Sequence, residues 1–147
     1  MKFLRRSLPL LILTVAFFFQ SSLAFAQPRS PQDVVKLFMQ VYGTERMREI
    51  LPYTLPEFRD GLEPEVWLER DYRAMKALGY AHLDGVIKDV TIKGREATVV
   101  VASRIKTIIG TVRQTEIYRL LDTEQGWKLL DLRTEEEVFE ESPPLWG

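Results

Sequence analysis

Asp71 is the side chain in this sequence best placed to do chemistry. At 100° per residue it lies about 60° from Leu68 on a helix, inside the arc that also holds Met75 and Leu78. A carboxyl group there faces the core or a pocket, and burial would raise its pKa and make it a general base or a hydrogen-bonding acid. The competing reading is an acid at the edge of the stripe, paired with an arginine such as Arg104 or Arg119. Asp131 alternates with Trp127 and Leu129, so all three are expected on one side of a strand. If that side lines a pocket, Asp131 joins Asp71, and two close carboxylates share a proton and titrate as a unit. Otherwise it faces water or pairs with Arg133 or Lys128. Phe38, Tyr42, Trp67, Tyr72, Tyr118 and Trp127 would supply the apolar walls and few hydroxyl donors of a small-ligand site, or simply pack a core. His82 has no second histidine and no motif serine beside it, so no nucleophilic triad is visible and a structural or exposed place is expected for it.

Composition narrows the chemistry further. The chain of 147 residues has no cysteine and one histidine, which excludes a disulfide framework, a thiolate nucleophile and a zinc site built from several histidines or cysteines. No metal and no cofactor is expected. Lys2, Arg5 and Arg6 precede an apolar run at 8–19, and Ala24, Phe25 and Ala26 supply a small-x-small cleavage pattern, so residues 1–26 read as a secretory signal. The twin-arginine route fits less well than general secretion, because only the Arg5–Arg6 pair of that motif is present. A periplasmic or secreted protein cut after Ala26 is expected, with membrane contact only if that segment stays attached. Cleavage takes 3 of the 20 basic residues, leaving 17 against 21 acidic ones, a net charge of −4. That sign disfavours nucleic acid as partner, since backbone recognition needs clustered Lys and Arg.

The elements that must position these residues follow from local signals. Ser30, Pro31 and Asp33 start a helix whose buried stripe is Val34, Leu37, Phe38, Val41 and Tyr42, closed by Gly43. Thr44 is expected to cap a short second helix that Pro52 stops. Pro64 opens a third, with Trp67, Leu68, Tyr72, Met75 and Leu78 on one face and Gly79 at its end. From Leu83 the period falls to two, giving strands near 83–92, 96–107, 112–121 and 127–133 separated by polar or glycine turns. On the second strand Ala97, Val99, Val101, Ser103, Ile105 and Thr107 share a face, whereas the inward face of the third strand is left open between Ile117 and Leu121 or Tyr118 and Leu120. Ile108 and Ile109 make an apolar hairpin tip on a basic stem, a contact for a membrane or partner unless another strand or subunit covers it. The domain would span 27–134, with an acidic tail at 135–147 carrying Glu135, Glu136, Glu137, Glu140 and Glu141. Helices followed by an antiparallel meander make an α+β fold, the helices covering one face of a four-stranded sheet.

This order, with its capped helix at Ser30, its Trp- and Tyr-bearing helix after Pro64 and its last strand Gly126-Trp127-Lys128-Leu129-Leu130-Asp131, resembles the nuclear transport factor 2-like superfamily over about 30–133. The resemblance implies a curved sheet wrapped around the helices as a cone with an apolar pocket at its open end. It also implies a choice of roles: polyketide cyclases, steroid isomerases, dehydratases, small-molecule binders and silent adaptors. A protease inhibitor of the similarly shaped cystatin type would need a Gln-x-Val-x-Gly hairpin, which Val99-Val100-Val101-Ala102-Ser103 does not provide. The expected role is an exported, noncatalytic module holding a small apolar ligand, or using its open sheet face for a partner or second copy. The alternatives are a cofactor-free isomerase, dehydratase or cyclase with Asp71 as base and Tyr72, Tyr118 or Asp131 as helpers, and a membrane-tethered periplasmic assembly subunit.

Overall fold

The computed structural model describes residues 28–140; the expected signal segment and Glu141 lie outside them. Helix α1 (Pro31–Val41) forms as its ends dictate. Ser30 Oγ accepts from the Asp33 N–H at 3.1 Å, Pro31 takes the first helical position and Gly43 adopts φ 76° just past the end. Val34, Val35, Phe38 and Val41 are buried, whereas Leu37 and Tyr42, expected on the same stripe, are half-buried. A 3₁₀ segment (Met47–Tyr53) replaces the short α-helix expected before Pro52. Its turns close over three residues, Glu49 N–H to Arg46 O and Thr54 N–H to Leu51 O, so Pro52 sits inside it without interrupting a longer ladder. Helix α2 (Pro64–Leu78) ends at Gly79 in the left-handed region, φ 60°. Only Trp67 of α2 is fully buried, and Leu78, expected on the buried face, is exposed, because this helix packs on the 3₁₀ segment and the rings of α1 rather than across the sheet.

Strands β1 (Ala81–Lys93), β2 (Glu96–Thr107), β3 (Gly110–Thr123) and β4 (Gly126–Phe139) form one antiparallel sheet in sequence order, so the fold is α+β with helices on one face. The predicted inward face of β2 is observed: Ala97, Val99, Val101, Ser103 and Ile105 are buried. On β3 the inward set is Val112, Glu116, Tyr118 and Leu120, which leaves Arg113 and Arg119 outside. β4 runs well past the expected end at Arg133. Glu135, Glu136 and Glu137 therefore belong to the strand and not to an acidic tail: Glu135 pairs with Thr115, Glu136 and Glu137 lie in a bulge, and pairing resumes at Val138 and Phe139 opposite Arg113 and Val112. Their carboxylates suit an edge strand, where charge discourages pairing with another chain. Bulges between His82 and Asp84 and between Ile87 and Asp89 bend β1, and another at Leu130 bends β4. The hairpin tip at Ile108 and Ile109 remains exposed, held to α2 by the Ile108 N–H donating to Leu78 O at 2.8 Å.

Candidate functional site

A pocket of about 240 Å³ opens between α1, the 54–62 loop, α2 and β4. Phe38, Tyr42, Phe58 and Trp67 form its aromatic lining, Glu57, Asp60 and Asp71 bring carboxylates to it, and Asp131 and Leu132 of β4 complete it. The rings form one continuous cluster. Phe38 stacks on Tyr42 with centroids 4.6 Å apart and meets Phe58 edge-on at 5.7 Å, while Phe58 and Tyr42 lie 5.9 and 6.2 Å from Trp67. Burial of Phe38 and Trp67 against the sheet and the 3₁₀ segment anchors this cluster in the core.

The loop that carries Glu57, Phe58 and Asp60 is clipped in place by Arg59. Its guanidinium is buried and donates to Thr54 O at 2.8 Å, Thr54 Oγ1 at 2.7 Å and Leu62 O at 3.1 Å, closing the loop on itself. Thr54 bridges to Leu129, and the Leu55 N–H donates to Leu129 O at 2.9 Å, which ties the start of the loop to the edge of β4.

Asp71 has both oxygens occupied. The Tyr42 hydroxyl donates to Oδ2 at 2.7 Å and Arg70 Nε donates to Oδ1 at 2.9 Å, while Arg70 also reaches Asp60 at 2.7 Å. The arginine partner is thus its chain neighbour, and not the Arg104 or Arg119 expected from the sequence. Burial, then the hydrogen bond to Asp71 and its charge, push the Tyr42 hydroxyl far above the usual tyrosine range. Tyr42 is therefore a permanent donor at neutral pH, and the group it holds is an oriented carboxylate engaged on each oxygen.

Asp131 does not share the side of Trp127 and Leu129. The bulge at Leu130 lets Leu129 face Leu120 and Asp131 face Arg119, so the alternation shifts by one residue and Leu132 takes the inward place opposite Tyr118. The Asp131 carboxylate accepts from Arg119 at 2.7 Å on the outward side, neither Arg133 nor Lys128 being its partner. Asp71 and Asp131 both line the pocket, each held by its own guanidinium, and no hydrogen bond joins them among the described residues.

The remaining ring positions part company. Phe38, Tyr42 and Trp67 meet at the pocket. Tyr72 lies in a separate hollow between α2 and the 3₁₀ segment with Met47 and Leu68, its ring 5.4 Å from Lys76 Nζ. Tyr118 is fully buried in the core, and Trp127 is half-buried against it.

Two features escape a sequence reading. Phe58, Glu57 and Asp60 come from an irregular connector with no period to mark them. Glu116 and His82 form the second: His82 Nε2 lies 3.1 Å from Glu116 Oε1, their side chains only 6% and 4% exposed, and the Tyr118 hydroxyl donates to Glu116 at 3.2 Å. Burial pushes the Glu116 carboxyl up, but His82, Ser103 and Tyr118 together outweigh it and hold it below the usual glutamate range. Ser103 Oγ lies close enough to stabilise the carboxylate without meeting hydrogen-bond geometry, and is otherwise unpartnered. Gly85 is required beside this pair, since a Cβ there would fall 2.8 Å from His82 Cε1 and 2.6 Å from Met39 Sδ. The parity of Glu116 with Tyr118 and Leu120 is the signal that could have exposed it. Once Tyr118 is inward, a carboxylate two residues away is inward too.

No protein-family model matches the chain, and no curated protein matches it in sequence. Among solved structures it is similar to a SEC-C motif containing protein from Rhodopseudomonas palustris, at 18% identity and a TM-score of 0.58, covering 73% of this chain and 80% of that one. It is also similar to a candidate aromatic ring hydroxylase from Novosphingobium aromaticivorans, at 14% identity and a TM-score of 0.51, covering 74% and 90%. Bd1075 of Bdellovibrio bacteriovorus matches at 9% identity and a TM-score of 0.52 over 70% of this chain, which spans 39% of that protein's length. Similarity at these identities speaks for architecture alone. The observed α+β architecture, helices laid on one face of a four-stranded antiparallel sheet, is consistent with the fold that the sequence resemblance implied.

Proposed function

We propose that this chain is an exported, noncatalytic module that binds a small ligand in the pocket between α1, α2 and β4. One observation carries the reading: four aromatic rings and an oriented Tyr42–Asp71 pair converge on a hollow beside Trp67 that protein atoms do not fill. Concave, mostly aromatic sites with a few fixed polar groups are where small molecules bind. A catalytic role for Asp71 is less well supported, because the ion pair with Arg70 and the Tyr42 hydrogen bond already give this carboxylate a structural use. The outward sheet face, with Val86 and Val138 exposed beside Arg104 and Arg113, is the surface that a second copy would cover. Native mass spectrometry of protein purified from its own compartment tests the main reading. A co-purifying small molecule that is lost in Phe58→Ala is the expected result, and the polypeptide mass should begin at Gln27. Protein that is ligand-free under these conditions, and that acquires no adduct from a small-molecule library, would overturn it.

A further inference from the structure

We infer that the ligand of this pocket is a small organic cation, an alkylammonium head group held against the aromatic rings and charged toward the carboxylates. The inference rests on the ligand-binding reading above and names its chemistry. Phe38, Tyr42, Phe58 and Trp67 form one ring cluster along it, of which the half-buried Tyr42 and Phe58 are the rings left for a ligand to touch, and an organic cation is attracted to aromatic faces when water is displaced.

The charges at the same hollow have one sign in excess. Glu57, Asp60 and Asp71 line it against one guanidinium, Arg70 shared between Asp60 and Asp71, while the Asp131 carboxylate is turned outward onto Arg119. Glu57 makes no ion pair among the described residues. An anionic ligand would meet this excess directly, and a neutral apolar ligand would leave the carboxylates facing an unsolvated neighbour. The Tyr42 and Arg70 hydrogen bonds hold Asp71 in place and still leave each oxygen a second lone pair to accept from an N–H or to face a quaternary nitrogen. A volume of about 240 Å³ lies below the range of drug-sized sites, which suits a compact head group rather than an extended molecule.

Three probes of one shape separate the outcomes: choline, its neutral carbon isostere 3,3-dimethylbutan-1-ol, and 3,3-dimethylbutanoate. Binding is read by the shift of the Trp67 indole N–H resonance, assigned through the backbone, at low ionic strength. The expected result is that choline binds at least tenfold more tightly than the alcohol, that the butanoate binds most weakly, and that Glu57→Gln, an exposed change harmless to folding, reduces the choline preference. If the alcohol binds within tenfold of choline, or the butanoate binds best, the cation assignment falls while the pocket remains a ligand site. If none of the three moves the Trp67 resonance, and protein from its own compartment also carries no ligand, both the assignment and the ligand-binding reading fall.

Discussion

Asp71 and Glu116 each accept a hydrogen bond from a tyrosine hydroxyl, Tyr42 at 2.7 Å and Tyr118 at 3.2 Å, and each has one basic partner. At the pocket the partner is Arg70, 48% exposed on the rim and shared with Asp60, and the Asp71 side chain is 18% exposed. Under α1 the partner is His82, and both members are almost wholly buried. Water can re-solvate the first carboxylate when its partner leaves, but not the second. The same residue types therefore make an adaptable recognition surface at one place and a structural commitment at the other.

Substitution should expose this difference most strongly at Glu116. Replacing it by alanine strands buried His82 and Tyr118, and unfolding in urea should show a loss of about 3–5 kcal/mol; a loss under about 1 kcal/mol would mean that water reaches the pair. Arg59→Met comes next, because it orphans Thr54 O and Leu62 O in the loop that carries Phe58. About 1–3 kcal/mol is expected in the same measurement, together with faster proteolysis within 54–62. Asp71→Asn should cost under about 1 kcal/mol, since the Tyr42 hydroxyl can still donate to the amide oxygen and Arg70 retains Asp60. If Asp71→Asn proves as damaging as the Glu116 change, the contrast between the two regions fails.

The subtlest signal is a pH slope. Glu116 has its folded-state pKa depressed, so the unfolded chain binds more protons in acid, and its contribution is fully present above the unfolded glutamate value of about 4.3 and lost as pH falls through the lower folded one. Glu116→Gln should flatten the decline of melting temperature below about pH 4 relative to the parent. An unchanged acid limb would assign that decline to other carboxylates.

What could be read without coordinates followed from local chemistry. The Ser30 cap, Pro31 and Gly43 bound α1, Pro64 and Gly79 bound α2, and the alternation of β2 placed Ala97, Val99 and Val101 inward. Phe38, Tyr42, Trp67 and Asp71 were legible as neighbours of one site because helical periodicity puts them on stripes that must face inward. Asp131 was misplaced, because one extra residue at Leu130 reverses a period-two argument and nothing in the run Trp127-Lys128-Leu129-Leu130 marks where a bulge falls.

Composition, the cap and turn residues and the two periods together determined the α+β class and the identity of most core residues, since each depends on a residue and its near neighbours in the chain. Only the tertiary structure decided which face of β3 is buried, that Arg59 folds Phe58 and Glu57 over the pocket, and that His82 meets Glu116 34 positions away. Those outcomes depend on register between strands and on loop closure, where free energy is settled by partners distant in sequence and no local pattern reports who they are.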